Sequence, residues 1–295
     1  MGGATLISRQ EHFPVVGSTN DVVAGWLADG VPEVCLAVAD EQVAGRGRDG
    51  RTWQAPPDAA LLMSLGFRPS WLEPDRVWRL GAVVSLAMAE AVERVASLTD
   101  GAIRLKWPND LVAIDEPRAS LRRSPPRSEA EPRDAMSPRM RKLAGVLGET
   151  AGLGASDPVA IVGIGTNVDW AVADFPPDIA TEMTSLRELA GGRRVDREQL
   201  LEEFLLSLEE RVALLRAGEF DTDAWERRQH TNGLPVRLEG VDGTVAFVTA
   251  VRVDPSTGGL VVDENGIERT VVAGEIHHLR LAGTAPIEVP TRIGV

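Results

Sequence analysis

The sequence predicts an α+β fold followed by a small, separate β domain. Its 295 residues suffice for about two domains, and 43% of them are apolar, which can supply an ordinary core. Helical spacing and short apolar runs alternate up to residue 232, whereas residues 233–281 combine short segments with tight turns. We therefore expect a first domain over 1–232, a second over 233–281 and a tail over 282–295.

The first hundred residues predict two helices and two strands. A helix begins after the cap residues 18–21 and stops at Gly30, because its apolar positions recur at helical spacing. Apolar runs predict strands over 34–39 and 61–67. A wide apolar face predicts a long helix over 79–98.

The middle of the chain predicts strands on both sides of a polar insertion. The strand over 103–107 is broken at Pro108 and resumes over 111–114. Residues 116–139 contain five prolines and few large apolar residues, which predicts a disordered insertion in a hairpin, with a partner-docking element as the alternative. Further strands are predicted over 142–150 and 159–168.

Two helices and a set of hairpins complete the chain. The helices are predicted over 196–216 and from residue 223. Asp-Gly at 242–243 and Asn-Gly at 265–266 are hairpin turn signals between alternating apolar residues, so residues 233–281 predict about five strands.

Charge and cysteine content exclude several classes of protein. The net charge of −13 argues against a general nucleic-acid binder, which needs basic patches. The single cysteine, Cys35, excludes a disulfide framework, and its apolar neighbours predict a buried strand residue rather than a catalytic thiol. With no signal-peptide pattern and no membrane-length apolar run, the expected location is the cytoplasm.

A loop rich in glycine and arginine is the most informative segment. Residues 45–53 read Gly-Arg-Gly-Arg-Asp-Gly-Arg-Thr-Trp. Glycines let a backbone approach a ligand closely, and guanidinium groups match phosphate or carboxylate oxygens. The pattern predicts a site for a small anionic ligand, and a basic surface turn is the alternative.

Three further polar or glycine-rich segments mark the ends or interruptions of predicted strands. They are residues 18–20, 106–110, and 142–145 together with 163–167. Each is weak alone, since Lys-Trp-Pro-Asn-Asp is equally compatible with a turn that carries a solvated lysine. Together with the loop they supply cations for phosphates (Arg46, Arg48, Arg51, Lys106, Lys142), neutral hydrogen bonds (Ser18, Thr19, Gln42), close backbone approach (Gly145, Gly163), apolar walls (Trp53, Trp107) and one carboxylate for a cation or Mg²⁺ (Asp110).

Other catalytic schemes find no support in the sequence. None of the four histidines lies in these segments, which argues against a hydrolytic triad and against a histidine-rich metal site. The loop also lacks the Gly-Lys-Ser/Thr ending of a Walker motif.

The residue sequences of these segments, and their order along the chain, resemble the motifs of the biotin protein ligases. The resemblance rests on residues 45–53, 106–110, 142–147 and 163–167 and covers about residues 15–280. It implies a central mixed β-sheet with helices, related to class II aminoacyl-tRNA synthetases and lipoyl ligases, as a catalytic domain over 1–232. It also implies an SH3-like β-barrel over 233–281.

The resemblance further implies an activity, its substrates and its residues. Biotin and ATP, with Mg²⁺, would give biotinyl-5′-AMP, and biotin would pass to a lysine of the biotin carboxyl carrier domain of acetyl-CoA carboxylase. Biotin-contacting positions would be Ser18, Thr19, Asn20, Gln42, Gly45, Arg46, Lys142, Gly145 and Gly163. Positions around ATP and the adenylate would be Arg46, Arg48, Arg51, Trp53, Lys106, Asn109, Asp110 and Asn167. The catalytic group would be Arg46, Lys106, Asp110 and Lys142, with Asp110 also a candidate Mg²⁺ ligand.

Two alternatives and one departure from the family stay open. A lipoate or octanoate ligase would share the fold and the lysine-centred chemistry, and a non-catalytic biotin or adenylate sensor would bind without labelling a carrier. Only 17 residues precede Ser18, too few for the DNA-binding helices of repressor members, so we expect a ligase that binds no DNA. Either a monomer or a homodimer is compatible with the sequence.

Overall fold

The computed structural model describes residues 6–115, 139–240, 243–272 and 275–278. The predicted insertion lies outside this part of the chain except for Arg139, which begins a strand. The predicted tail over 282–295 also lies outside the described residues.

The first of two sheets is mixed and has seven strands. Its order is β1-β2-β3-β7-β6-β5-β4, with β1 parallel to β2 and the other neighbours antiparallel. The strands are β1 (Arg9–Val16), β2 (Cys35–Gln42), β3 (Ala60–Phe67), β4 (Ile103–Lys106), β5 (Asp110–Asp115), β6 (Arg139–Ala151) and β7 (Val159–Asn167). The mixed sheet confirms the predicted fold class.

Helices cover the two faces of this sheet unequally. They are α1 (Thr19–Ala28), α2 (Trp78–Ala96), α3 (Leu186–Leu189), α4 (Arg197–Arg216) and α5 (Thr222–Arg228). The main core joins α2 and α4 to one face, because both carry long apolar stripes. The helix α1 packs on the other face, in a smaller cluster with Cys35, which is fully buried as predicted. The rest of that face is left for a site.

A buried ion pair fixes the start of β4. Glu93 of α2 accepts hydrogen bonds from Arg228 at 2.7 and 2.8 Å and from the backbone of Ile103 at 2.8 Å. Burial opposes the charge on Arg228, but the bonds to Glu93 outweigh it, so the pKa of Arg228 lies above its ordinary value. β4 is thereby held three residues before Lys106.

The second sheet, towards the C-terminal end of the described residues, is antiparallel and has the order β11-β10-β9-β8-β12. Its strands are β8 (Leu234–Glu239), β9 (Val245–Val253), β10 (Leu260–Glu264), β11 (Ile267–Val271) and β12 (Glu275–His278), matching the expected number. The resemblance implied a barrel, but within the described residues no ladder joins β11 to β12, and the sheet is open. Trp107 donates to the carbonyl of Gly258, between β9 and β10, at 3.0 Å and so links the two sheets.

Two elements were not predicted from the sequence. β1 reads Arg-Gln-Glu-His-Phe-Pro-Val-Val, and its charges and proline are typical of an edge strand that faces solvent. The helix α3 is only four residues long, too short for a periodic signal. No helix in the described ranges is long and apolar enough to cross a membrane.

Candidate active site

A cleft opens on the sheet face that carries α1, beside the ends of β2 and β4. It is lined by Ser18, Thr19, Asn20, Gln42, Arg46, Gly47, Arg48, Arg51, Thr52, Trp53, Met63, Lys106, Pro108, Asn109, Asp110, Lys142, Gly145, Val146, Leu147, Gly163, Ile164 and Gly165. Every residue predicted for the site is among them except Gly45, Trp107 and Asn167. Segments far apart in the chain therefore converge on one cavity.

A β-bulge in β6 sets the direction of the Lys142 side chain. Leu111 pairs with Ala144, but the next residue of β5, Val112, pairs with Lys142, so Leu143 is an extra residue on β6. Regular alternation would put Lys142 and Gly145 on opposite faces, and the extra residue puts them on the same face. The ammonium group consequently lies over Gly145, within 3.2 Å of where a Cβ would stand.

Lys142 forms an ion pair at the centre of the cleft. Its Nζ lies 2.6 Å from Oδ1 of Asp110, and the two side chains are 30% and 16% exposed. The backbone of Lys142 does not depend on β5 alone, because its N–H donates to the Glu182 carbonyl at 2.7 Å and its carbonyl accepts from Thr184 at 2.9 Å. The lysine is therefore held rigidly at its backbone.

Asn167 supports this arrangement from below rather than lining the cleft. It is fully buried at the end of β7, and its Nδ2 donates to the Thr184 carbonyl at 3.0 Å. It therefore braces the segment that holds Lys142, although the resemblance had implied a contact with ATP.

A buried network of neutral side chains forms one end of the cleft. The backbone N–H and the hydroxyl of Thr19 both lie within 3.0 Å of Gln42 Oε1. Ser64 donates to Asn20 Oδ1 at 2.6 Å and lies 2.6 Å from the Thr19 hydroxyl. Asn20 is 4% exposed, and its Nδ2 has no partner among the described residues. The network leaves this amide donor for a ligand.

The glycine-arginine loop folds back on itself above the cleft. Gly47 donates to the Arg51 carbonyl at 2.7 Å, and Trp53 donates to the Gly45 carbonyl at 2.9 Å. Gly45 is buried in this turn, where a Cβ would stand 2.5 Å from the Trp53 carbonyl, so its role is to permit the loop's own fold.

Arg46 anchors the loop at the mouth of the cleft. Its guanidinium bonds both oxygens of Asp21 on α1 at 2.8 and 2.9 Å and reaches Glu149 on β6 at 3.2 Å. These bonds hold the pKa of Asp21 below its ordinary value and raise that of Arg46. Arg46 thus links three elements through carboxylates that the sequence analysis did not single out.

Four residues of the 106–110 segment, Lys106, Pro108, Asn109 and Asp110, line the cleft. Lys106 and Asp110 are cross-strand partners on β4 and β5. Asn109 is joined to Val146 by two bonds, one from its Nδ2 at 2.8 Å and one to its backbone carbonyl at 2.9 Å. Trp107 does not form the apolar wall that was predicted, because it is buried and its indole bonds the Gly258 carbonyl beside the second sheet.

Sequence reasoning missed two residues for which a signal exists. Ser64 is the one polar residue within the buried run of β3, and such an isolated hydroxyl in an apolar strand is a sign of a buried network. Gly165 belongs to the 163–167 motif, but no role was predicted for it. Its spacing of two residues from Gly163 places both glycines on one face of the strand.

The described residues contain no cluster of three or more His, Cys, Asp or Glu that could hold a metal ion. Among those that line the cleft, Asp110 is the carboxylate, and it is engaged by Lys142. The chain does not itself supply a cage of oxygen ligands here.

Comparison with known proteins gives concordant results. The model of the biotin/lipoate A/B protein ligase family matches residues 12–167. The biotin–[acetyl-CoA-carboxylase] ligase of Mycobacterium tuberculosis is 31% identical over 90% of this chain and 86% of its own length. The bifunctional ligase/repressor BirA of Bacillus subtilis is 27% identical over 88% of this chain and 70% of its own. The solved biotin protein ligase of Aquifex aeolicus, in complex with biotin and ATP, has 25% identity and a TM-score of 0.69 over 92% of this chain and 99% of its own.

Proposed function

The chain belongs to the biotin/lipoate A/B protein ligase family and is an ATP-dependent biotin ligase, and from this premise we propose how its cleft divides the work between two steps. The first joins biotin to AMP, and the second passes the biotinyl group to a lysine of a carboxylase carrier domain. One observation carries the proposal. The cations from the loop, β4 and β6 line a single cavity whose other end is neutral and hydrogen-bonding.

The neutral end suits the ureido ring of biotin. Asn20 Nδ2 is a buried donor without a partner in the described structure, and a carbonyl oxygen would satisfy it. The Thr19, Gln42 and Ser64 side chains are already bonded to one another, so the network is preorganised. Ser18 completes this end of the lining.

The cationic end suits the reacting groups. A biotin carboxylate oxygen would attack the α-phosphorus of ATP, and the bond to the bridging oxygen would break to release pyrophosphate. Both reactants are anions, so their approach is repulsive. Lys142 and Lys106, with Arg48 and Arg51 of the loop, would reduce this repulsion and stabilise charge in the transition state.

Mg²⁺ is compatible with the cleft only in a particular mode. Mg²⁺ usually keeps several waters and is bound by one or two carboxylates plus substrate phosphates, and Asp110 can supply one carboxylate. Bound in this way it would add positive charge beside the phosphates. The chain's own contribution would be the Asp110 oxygen that Lys142 does not engage.

Asp110 has a second role in transfer. The carrier lysine must lose a proton before its nitrogen attacks the acyl carbon, after which the bond to AMP breaks and AMP leaves. Asp110 lies at the cleft with 16% of its side chain exposed, which suits a group that orients and accepts this proton.

Substrate-dependent exchange tests the assignment. Labelled pyrophosphate should exchange into ATP when biotin is added, and not with lipoate or octanoate. A carrier domain incubated with the chain, Mg-ATP and biotin should gain the mass of one biotinyl group. Exchange with lipoate alone would overturn the choice of substrate. Biotin binding without exchange would identify a sensor.

A further inference from the structure

The carboxylate of Glu188, on α3, connects an arginine of β6 to the segment that holds Lys142. Its Oε1 accepts a hydrogen bond from Nη1 of Arg141, and its Oε2 accepts one from the hydroxyl of Thr184 at 2.9 Å. Thr184 is fully buried, and the side chains of Arg141 and Glu188 are mostly buried. Both carboxylate oxygens are therefore engaged by groups that have little access to water.

Arg141 lies directly behind Lys142 in the sheet. It precedes Lys142 on β6, and alternation puts its side chain on the core-facing side, where its cross-strand partner Ala113 is buried. Its guanidinium also donates to Asp115 on β5 at 2.7 Å. Burial opposes the charge on Arg141, but the bonds to Asp115 and Glu188 outweigh it, so the pKa of Arg141 lies above its ordinary value. The arginine is a fixed and charged partner for Glu188.

Residues 182–184, which we call the bracing segment, contact the backbone of Lys142 directly. The N–H of Lys142 donates to the Glu182 carbonyl at 2.7 Å, and its carbonyl accepts from the N–H of Thr184 at 2.9 Å. The ladder between β5 and β6 is interrupted at the neighbouring Leu143. The bracing segment thus supplies backbone bonds to the lysine at the point where its own sheet pairing is irregular.

We propose that Glu188 is a positioning residue for the first step, because it holds Thr184 and thereby fixes where the ammonium group of Lys142 lies in the cleft. Glu188 is not among the residues that line the cleft, so it acts through the bracing segment. The inference rests on the proposed role of Lys142, since the effect of Glu188 on the reaction passes through that lysine. A misplacement of about 1 Å in a reacting site can cost about 10²-fold in rate.

A matched group elsewhere in the chain serves as the control. Glu90 of α2 accepts hydrogen bonds from the guanidinium of Arg211 and from the hydroxyl of Ser207, both on α4. The side chains of Glu90 and Arg211 are 24% and 11% exposed, against 25% and 13% for Glu188 and its arginine. Glu90 joins two helices and is also absent from the lining of the cleft. It therefore reproduces the chemistry and burial of Glu188 without a connection to Lys142.

Biotin-dependent pyrophosphate exchange compares Glu188→Ala with Glu90→Ala, and thermal unfolding gives the stability of each. Both variants leave a mostly buried arginine without this carboxylate, so we expect similar losses of stability. Only Glu188→Ala should lower the exchange rate at saturating biotin and ATP, by about 10–10²-fold. Thr184→Val removes the hydroxyl and should lower the rate as well, whereas Thr184→Ser keeps the hydroxyl and most of the rate. If Glu188→Ala does not fold, this second pair of variants carries the test.

A double-mutant cycle tests whether the effect passes through the lysine. In the Lys142→Ala chain, the addition of Glu188→Ala should change pyrophosphate exchange by less than about twofold, because the group that Glu188 positions is already missing. Additive losses in this cycle would overturn the proposal. Equal pyrophosphate exchange in folded Glu188→Ala and Glu90→Ala would overturn it too.

Hydrogen exchange of the substrate-free chain separates this inference from the proposed function. The backbone amides of Lys142 and Thr184 should exchange about tenfold faster in Glu188→Ala than in Glu90→Ala, since they donate the two bonds between β6 and the bracing segment. Equal amide exchange in the two variants would refute the positioning and leave the function intact. Undiminished pyrophosphate exchange in folded Lys142→Ala would instead refute the role of that lysine, and the amide exchange would still decide the bracing.

Discussion

Replacement of Lys142 by alanine tests the electrostatic part of the mechanism most directly. Removing one preorganised stabiliser of a developing charge typically costs about 2.7–4 kcal/mol, or 10²–10³ in rate. Two features of the structure adjust this magnitude in opposite directions. Partial exposure of Lys142, at 30%, weakens its field, whereas its loss leaves the Asp110 carboxylate without its partner at 2.6 Å and facing an anionic substrate. We therefore expect a decrease of about 10²–10³ in the rate of pyrophosphate exchange.

The assay measures biotin-dependent exchange at saturating biotin and ATP, with thermal unfolding as the check on folding. Lys142→Arg keeps a charge and should lose less than Lys142→Ala. A loss below about threefold in folded Lys142→Ala would remove this lysine from the mechanism.

Three other outcomes follow from the packing and the charges. Glu93→Ala should lower the free energy of unfolding, measured in urea, by about 3–5 kcal/mol, because it leaves Arg228 buried without its partner. Arg94→Ala on the same helix removes an exposed ion pair and should lower that free energy by less than about 1 kcal/mol. Equal effects of the two variants would contradict the reasoning on the buried pair. Arg46 lowers the pKa of Asp21, so the stabilisation from their ion pair is present above the unfolded pKa of Asp21 and is lost as pH falls through the folded pKa. Hydrogen-exchange protection of loop 45–53 should therefore decrease below about pH 4 in the wild type. An identical pH profile in Asp21→Asn would contradict this role of the ion pair. Replacing residues 117–137 by a short Gly-Ser bridge should leave exchange within about threefold of wild type, and a chain that no longer folds would show that the insertion is structural.

Most elements with a strong local pattern were predicted correctly. The helices α1, α2 and α4 and the strands β2, β3 and β7 were found because apolar residues recur at the helical period or in unbroken runs. β1 escaped notice, because an edge strand with charges and a proline lacks such a pattern. Likewise, nothing in the neighbouring residues indicated that Trp107 would contact Gly258 rather than the cleft.

The candidate site, like the fold, was predicted from the sequence only in part. The motifs predicted which residue types meet, since phosphate chemistry needs cations and glycines whatever the fold. They did not predict that the side chains of Trp53 and Lys142 would lie at Gly145, or that of Asn20 at Gly163. A glycine in the sequence shows that a side chain is missing but not which other group fills the space.

Taken by itself, the sequence determined the chemical inventory, the order of the motifs and the family resemblance, since these are properties of residue identity and spacing. Only the tertiary structure decided on which face of the sheet these side chains lie and which of them meet. One extra residue at Leu143 turns Lys142 onto the face of Gly145. Arg46 reaches Asp21, 25 residues away in the chain, and Glu149, 103 residues away. Side-chain direction in a strand changes with each single-residue shift of pairing, and pairing between distant segments is set by packing that no local window contains.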